Sequence, residues 1–110
     1  MSVATISVNI EPDAAAKLAE LGLEDELNWV LEFTKTSVPA LHSIDVRTWL
    51  DYEEGTGVHI EVLAWKDAPP DLRDPDRMSW IKAILAMSSA TFRMWVSCEM
   101  YPREVAWDGR

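Results

Sequence analysis

Cysteine is almost absent from this chain, since Cys98 is the only one in 110 residues. A single cysteine cannot form an internal disulfide, and such usage is typical of a reducing compartment. No apolar run approaches the ~20 residues that a membrane-spanning helix needs. The opening residues, MSVATISVNI, lack a basic segment followed by a long apolar one, so they predict no secretory signal. We therefore expect a cytoplasmic protein that does not enter a membrane.

Several motifs that carry chemistry are also missing. The chain has four glycines and no glycine-rich phosphate loop, and it contains no HExxH, CxxC or GxSxG motif. Ten basic side chains face 19 acidic ones, which gives a net charge of -9. A chain with this charge repels phosphate backbones and anionic lipid surfaces. We expect no cofactor and no metal, and the charge disfavours nucleic acid as a partner.

The chain length and the aromatic content favour a single folded domain over residues 1–110. A chain of this size buries enough surface to form one core without disulfides. Six tryptophans are many for so short a sequence. Because each can bury roughly 150–250 Å², we expect several of them to anchor the core or an interface.

The first half of the sequence predicts a strand followed by two helices. Apolar and polar residues alternate over residues 3–10, as in a half-buried strand. Pro12 is well placed near the start of a short helix over residues 14–21, which Gly22 can end in the left-handed conformation. Apolar residues at helical spacing predict a second helix over residues 24–36.

The second half predicts a hairpin, a helix and a last strand. Residues 43–52 and 58–66 alternate and are separated by the glycine-containing loop 53–57, so we expect an antiparallel pair with Asp51 opposite His59. A helix is expected from Pro75 to about Ser88, with the apolar stripe Trp80, Ile81, Ile84, Leu85 and Met87. Alternation predicts the last strand over residues 92–101, with Cys98 on its inward side as a small hydrophobe.

The predicted order is strand, helix in two pieces, strand, strand, helix, strand. This is the split βαβ, or ferredoxin-like, order. Right-handed crossovers would place the helices on one face of a four-stranded, antiparallel sheet. The sequence therefore predicts a two-layer α+β domain.

The face of the sheet opposite to the helices, which we call the outer sheet face, carries large aromatic side chains at odd-numbered positions. A solvated sheet face is usually polar, so an aromatic one indicates that something covers it. We consider three occupants: the C-terminal tail with Trp107, a second copy of the chain, or a ligand or different protein. The expected contact residues are Trp49, Leu63, Trp65, Trp95 and Tyr101.

His59, with Asp51 or Glu61 beside it, is the one arrangement that suggests acid–base chemistry. On this alternative the protein is a small cofactor-free enzyme or small-ligand binder of the dimeric ferredoxin-like type. The simpler interpretation is a solvated surface pair, which contributes little to stability. No serine or cysteine is placed to complete a catalytic triad.

A second alternative is a ribbon-helix-helix-like transcription regulator. Its outline fits a strand at residues 5–10 and helices at 13–21 and 24–36, and paired strands of such proteins enter the DNA major groove. However, residues 1–36 contain seven acids against Lys17 and Lys35, which opposes phosphate contacts. The sequence favours a non-enzymatic protein-interaction module that forms a homodimer through the outer sheet face.

Overall fold

The computed structural model describes residues 6–51, 57–67 and 75–102. It is a four-stranded sheet with helices on one side. The elements are β1 (Ser7–Ile10), α1 (Pro12–Leu21), α2 (Glu24–Ser37), β2 (Leu41–Asp51), β3 (Gly57–Lys66), α3 (Pro75–Met87), α4 (Ala90–Trp95) and β4 (Val96–Pro102). Residues 3–5 of the predicted first strand, residues 52–56 at the predicted hairpin loop, residues 68–74 and the tail with Trp107 lie outside the described residues.

The two N-terminal helices form where the sequence predicts them. Pro12 occupies the first turn of α1, where its missing N–H costs nothing, and α1 ends at Gly22 with φ of 70°. The N–H of Leu23 then donates to the carbonyl of Leu18 at 2.9 Å, which closes the helix end. Three acids in the first turn of α2 and Lys35 in its last turn match the helix dipole.

The sheet is mixed, so the expectation of a mostly antiparallel sheet is confirmed only in part. The strand order is β1-β2-β3-β4, with β1 parallel to β2 and β3 parallel to β4. The central pair, β2 with β3, is the predicted antiparallel hairpin. The chain therefore has the predicted order of elements along the sequence, but its strands lie side by side in chain order.

This strand order has a consequence for the two crossover connections. The apolar residues of α1, α2, α3 and α4 join one core cluster with the even-numbered residues of the strands, so all the helices lie on one face. The first two strands run in one direction and the last two in the other. With the helices on one face, these directions require the two crossovers to have opposite hands. The rule of right-handed crossovers, which predicts interleaved strands, fails for one of them.

The hairpin register differs by two residues from the predicted one. Trp49 lies opposite His59, and Asp51 lies opposite Gly57. A shift of two positions leaves every side chain on its predicted face, because side chains alternate with a period of two. The inward residues Ile60 and Val62 are accordingly fully buried. The predicted pairing of Asp51 with His59 is wrong.

The first residues of the predicted last strand are helical instead. The side chain of Ser89 accepts a hydrogen bond from the N–H of Phe92 at 3.1 Å and so caps a short helix, α4. Phe92 is buried by this helix, whereas Met94 is 67% exposed. Strand β4 begins only at Val96. The pattern of residues 92–95 fits both the helical period and the strand period, and the cap at Ser89 favours the helix.

The buried side of α3 is narrower than its apolar stripe. Trp80 and Ile84 are buried, but Leu85 is 50% exposed and Met87 is 68% exposed. Helix α3 contacts α2 on one side and the edge strand β4 on the other. An edge strand has no neighbour beyond it to receive the rest of the stripe, so these apolar side chains remain at the surface.

A buried hydrogen bond joins α3 to α2. The indole Nε1 of Trp80 donates to Thr34 Oγ1 at 2.8 Å, and Thr34 Oγ1 donates to the carbonyl of Val30 at 2.6 Å. Trp80 is 2% exposed and Thr34 is fully buried. Every polar group in this relay is therefore satisfied within the core.

We expect Thr34→Val to lower the free energy of unfolding by about 1–3 kcal/mol, because it leaves the buried indole N–H without an acceptor. In a Trp80→Phe background the same substitution should cost less, by about 1 kcal/mol, since no donor remains. Urea unfolding of the four proteins measures this coupling. Equal costs of Thr34→Val in both backgrounds would show that the hydrogen bond contributes nothing.

Candidate functional site

The outer sheet face consists of side chains in cross-strand rows. The registers place these residues side by side, in order along the sheet: Ser43, Trp65 and Tyr101; Asp45, Leu63 and Glu99; Arg47, Glu61 and Ser97; Trp49 and His59. Aromatic rings therefore lie at both ends of the face, and charged groups lie between them.

Three stacked rings form one end of the face. The ring of His59 lies between those of Trp49 and Trp95, with ring centroids 5.0 Å apart on each side. Trp95 is the last residue of α4 rather than part of a strand, and it also packs against the core. The Nζ of Lys17, from α1, lies 4.8 Å from the centroid of the Trp95 ring, a cation–π distance. These contacts order the rings within the chain itself.

The other end carries Trp65 and Tyr101, whose ring centroids are 5.8 Å apart. The indole Nε1 of Trp65 donates to Asp45 Oδ2 at 2.9 Å, and Asn9 Nδ2 donates to Asp45 Oδ1 at 3.2 Å. Both oxygens of the Asp45 carboxylate are thus engaged, and the Trp65 ring is held in one orientation. Asp45 and Asn9 are positioning residues that the sequence did not single out, although alternation puts them on this face.

Two ion pairs occupy the middle of the face and its edge. Arg47 Nε lies 3.1 Å from Glu61 Oε1, across β2 and β3. Arg77 Nη2, from α3, lies 2.8 Å from Glu99 Oε1 on β4. The second pair is formed around the edge of the sheet, because β4 is its last strand. Sequence periodicity gives no sign of that contact, since it depends on the strand order.

The five predicted contact residues differ in how much surface they present. Trp49 is 37% exposed and Tyr101 is 44% exposed, while Trp65 and Trp95 are half-buried. Leu63 is only 2% exposed, so the expectation that it offers contact surface is wrong. It lies between Asp45, which holds the Trp65 indole, and Glu99, which holds Arg77. These tethered neighbours flank Leu63 on both sides.

The predicted acid–base arrangement of His59 with Asp51 or Glu61 does not form as expected. His59 stacks between indole rings, and the residue opposite it is Trp49 rather than Asp51. Glu61 is engaged by Arg47. The second histidine, His42, makes a hydrogen bond of 2.9 Å between its Nδ1 and Ser43 Oγ. Within the described part of the chain, no three His, Cys, Asp or Glu side chains cluster as a metal site would require.

An apolar groove lies in the helical layer, away from the outer sheet face. It has a volume of about 250 Å³ and is formed by α3, α4 and β4. Its described lining is mostly apolar, with three polar residues, Ser88, Arg93 and Ser97. The sequence did not indicate this groove. The one relevant sequence signal is Ser88-Ser89 before a short run of helix-compatible residues, and it indicates the start of a helix.

Cys98 lies at the floor of this groove on the inward side of β4. Burial, with a smaller contribution from the Glu99 carboxylate, raises the pKa of the Cys98 thiol to about 12. The thiolate is the nucleophilic form, so this thiol is unreactive at neutral pH. The prediction that Cys98 acts as a small hydrophobe fits this environment.

None of the helices within the described ranges has the length and apolar character needed to cross a bilayer. No protein-family model, curated protein or solved structure matches the chain. The geometry of the outer sheet face and of the groove therefore supplies the evidence for function.

We expect Cys98 to react with iodoacetamide at about pH 8 roughly a thousandfold more slowly in the folded than in the urea-unfolded protein. The reason is that a pKa of about 12, against 9.0 for an ordinary thiol, leaves far less thiolate. The folded rate should also rise about tenfold per pH unit toward the pKa. Mass spectrometry follows the reaction, with Cys98→Ser as the unreactive control. Folded and unfolded rates within about tenfold of each other contradict the expectation.

Proposed function

We propose that this chain is a non-enzymatic protein-interaction module that forms a homodimer through the outer sheet face. The observation that carries the proposal is the pair of exposed aromatic side chains at opposite ends of that face, Trp49 at 37% and Tyr101 at 44% exposure. Aromatic side chains commonly dominate the binding energy of protein interfaces. Trp65 and Trp95 complete the set of expected contacts, and Leu63 lies buried between Asp45 and Glu99 on the same face.

The distribution of charge favours this face over the surface formed by α1 and α2. On the outer sheet face, Arg47 pairs with Glu61 and Arg77 pairs with Glu99. Among these four residues and Asp45, only the Asp45 carboxylate has no cation beside it. Helices α1 and α2 together carry six acids and two lysines, a net charge of -4. Two copies of a chain with a net charge of -9 repel each other least where charges are already paired.

The Arg47–Glu61 pair also suits a two-fold arrangement. In a two-fold interface, the same surface of each copy meets itself, so Arg47 of one copy can approach Glu61 of the other. Such exchange adds little affinity, but it fixes the orientation in which the sheets stack. The pair spans the central strands, near where a two-fold axis through the sheet would pass.

The ring stacks reduce the entropic cost of association. Trp49, His59 and Trp95 are ordered by one another, and Trp65 is held by Asp45. Side chains that are ordered before binding lose less freedom on binding. The sheet face itself is small, roughly 20 Å by 30 Å from the strand spacing and length, compared with about 800 Å² per partner in a standard interface. We therefore expect a dimer that dissociates on dilution.

We expect the wild-type mass to rise toward twice the chain mass between about 1 µM and 1 mM, measured by sedimentation equilibrium. Trp49→Glu should remain monomeric, because it places a charge in the apolar contact. Trp29→Glu is the matched control, since Trp29 is 38% exposed and lies on α2, on the other side of the molecule.

Two results would overturn the proposal. One is a wild type that stays monomeric over the whole range, and the other is a Trp49→Glu variant that dimerises as well as the wild type. A loss of dimer in Trp29→Glu alone would place the contact on the helical side and would also contradict it.

A further inference from the structure

The groove between α3, α4 and β4 has a polar group whose bonding capacity the chain does not use. The Oγ of Ser88 is buried and has no hydrogen-bond partner among the described residues. A buried hydroxyl without a partner is destabilising, and native structures contain few of them. The Oγ itself has almost no accessible surface, so a molecule in the groove supplies the missing hydrogen bond once the Ser88 side chain rotates toward it.

Arg93 gives the groove one positive charge. Its Nη1 donates to the carbonyl of Ser88 at 2.6 Å and to that of Leu85 at 3.3 Å, both at the end of α3. These bonds fix the guanidinium beside Ser88, and the hydrogen bonds found for Arg93 in the described part of the chain use Nη1 only. A guanidinium has five N–H groups in a planar fork that suits a carboxylate.

The other described residues that line the groove are uncharged, and apart from Ser97 they are apolar. They include Ile81, Leu85, Phe92, Val96 and Cys98, and none of the described lining residues is acidic. Glu26 lies nearby, beyond Ser88, but its two oxygens accept hydrogen bonds from the N–H and the hydroxyl of Ser89 at 2.9 and 2.7 Å. A groove lined by an arginine and by no described acidic residue is unusual in a chain whose net charge is -9.

We infer that this groove binds a small carboxylic acid with an apolar body, whose carboxylate lies against Arg93 and the hydroxyl of Ser88. The apolar part would cover Leu85, which is 50% exposed at the wall. The volume of about 250 Å³ is below the ~300–1,000 Å³ of sites for drug-sized ligands, so it fits a molecule of one ring or a short chain.

The test uses 3-phenylpropanoate as the probe and 3-phenylpropanamide as its neutral counterpart, with binding measured by amide chemical-shift titration of the full chain. We expect saturable binding of the acid below about 1 mM, with shifts at α3, α4 and β4. The amide should bind about tenfold more weakly, because it loses the charge-assisted hydrogen bonds.

Two variants test the named groups. Arg93→Gln should weaken binding of the acid about tenfold, whereas Lys35→Gln, which removes the same charge from α2, should leave it unchanged. Ser88→Ala should weaken binding and yet raise the unfolding midpoint, since it removes a hydroxyl that the chain leaves unpaired. A purely structural role of Ser88 does not produce these opposite changes.

The inference is overturned if the acid shows no saturable binding up to about 10 mM, or if acid and amide bind equally. It also fails if Arg93→Gln and Lys35→Gln have the same effect, or if Ser88→Ala leaves the affinity unchanged. A change of mass in Leu85→Glu would assign the groove to a second copy of the chain and would contradict both proposals. The groove lies on the opposite side of the sheet from the proposed dimer contact, so a failure of acid binding and a failure to dimerise are separate results.

Discussion

The hydrogen bond from Trp80 to Thr34 holds the helical layer together. It joins α2, which belongs to the first half of the chain, to α3, which belongs to the second. In a dry core such a bond is costly to break, because the donor and the acceptor both lose contact with any alternative partner. With Trp80 anchored toward α2, the neighbouring turns of α3 direct Ile81 and Leu85 toward β4, where the groove opens. This polar contact sets the orientation of α3 against α2, while the burial of Trp80 and Ile84 supplies apolar contact.

The alternation of residues in β2 and β3 predicts their pairing and faces correctly, because burial on one side imposes a period of two on the sequence. The exact partner of His59 was not predictable, since registers that differ by two bury the same side chains. The start of β4 was misassigned because residues 92–95 fit both periods and the decision lies with one capping hydroxyl on Ser89. A local sequence pattern does not reveal this hydrogen bond, because the bond depends on the folded geometry.

The candidate sites show the same limit. Trp49 and Tyr101 are exposed on the expected face, which alternation alone predicts. The burial of Leu63 and the approach of Arg77 to Glu99 depend on which strand lies at the edge, and that order has no signature in a single sequence. The groove arises between elements that are distant from β1 and β2, and its polar groups come from the junction of two helices. Its residues are ordinary in sequence and distinctive only once they are assembled.

The side-by-side order of the strands divides the molecule in a simple way. Residues 6–51 form one complete parallel strand–helix–strand unit, and residues 57–102 contain the other. The edge strands β1 and β4 each pair with a strand of their own unit, so the two units meet along the β2–β3 seam and through the α2–α3 contact. A ferredoxin-like arrangement threads each half between the strands of the other and has no such seam. This chain is consequently suited to division at the hairpin, with two separately made fragments reassembling by adding one sheet edge to another.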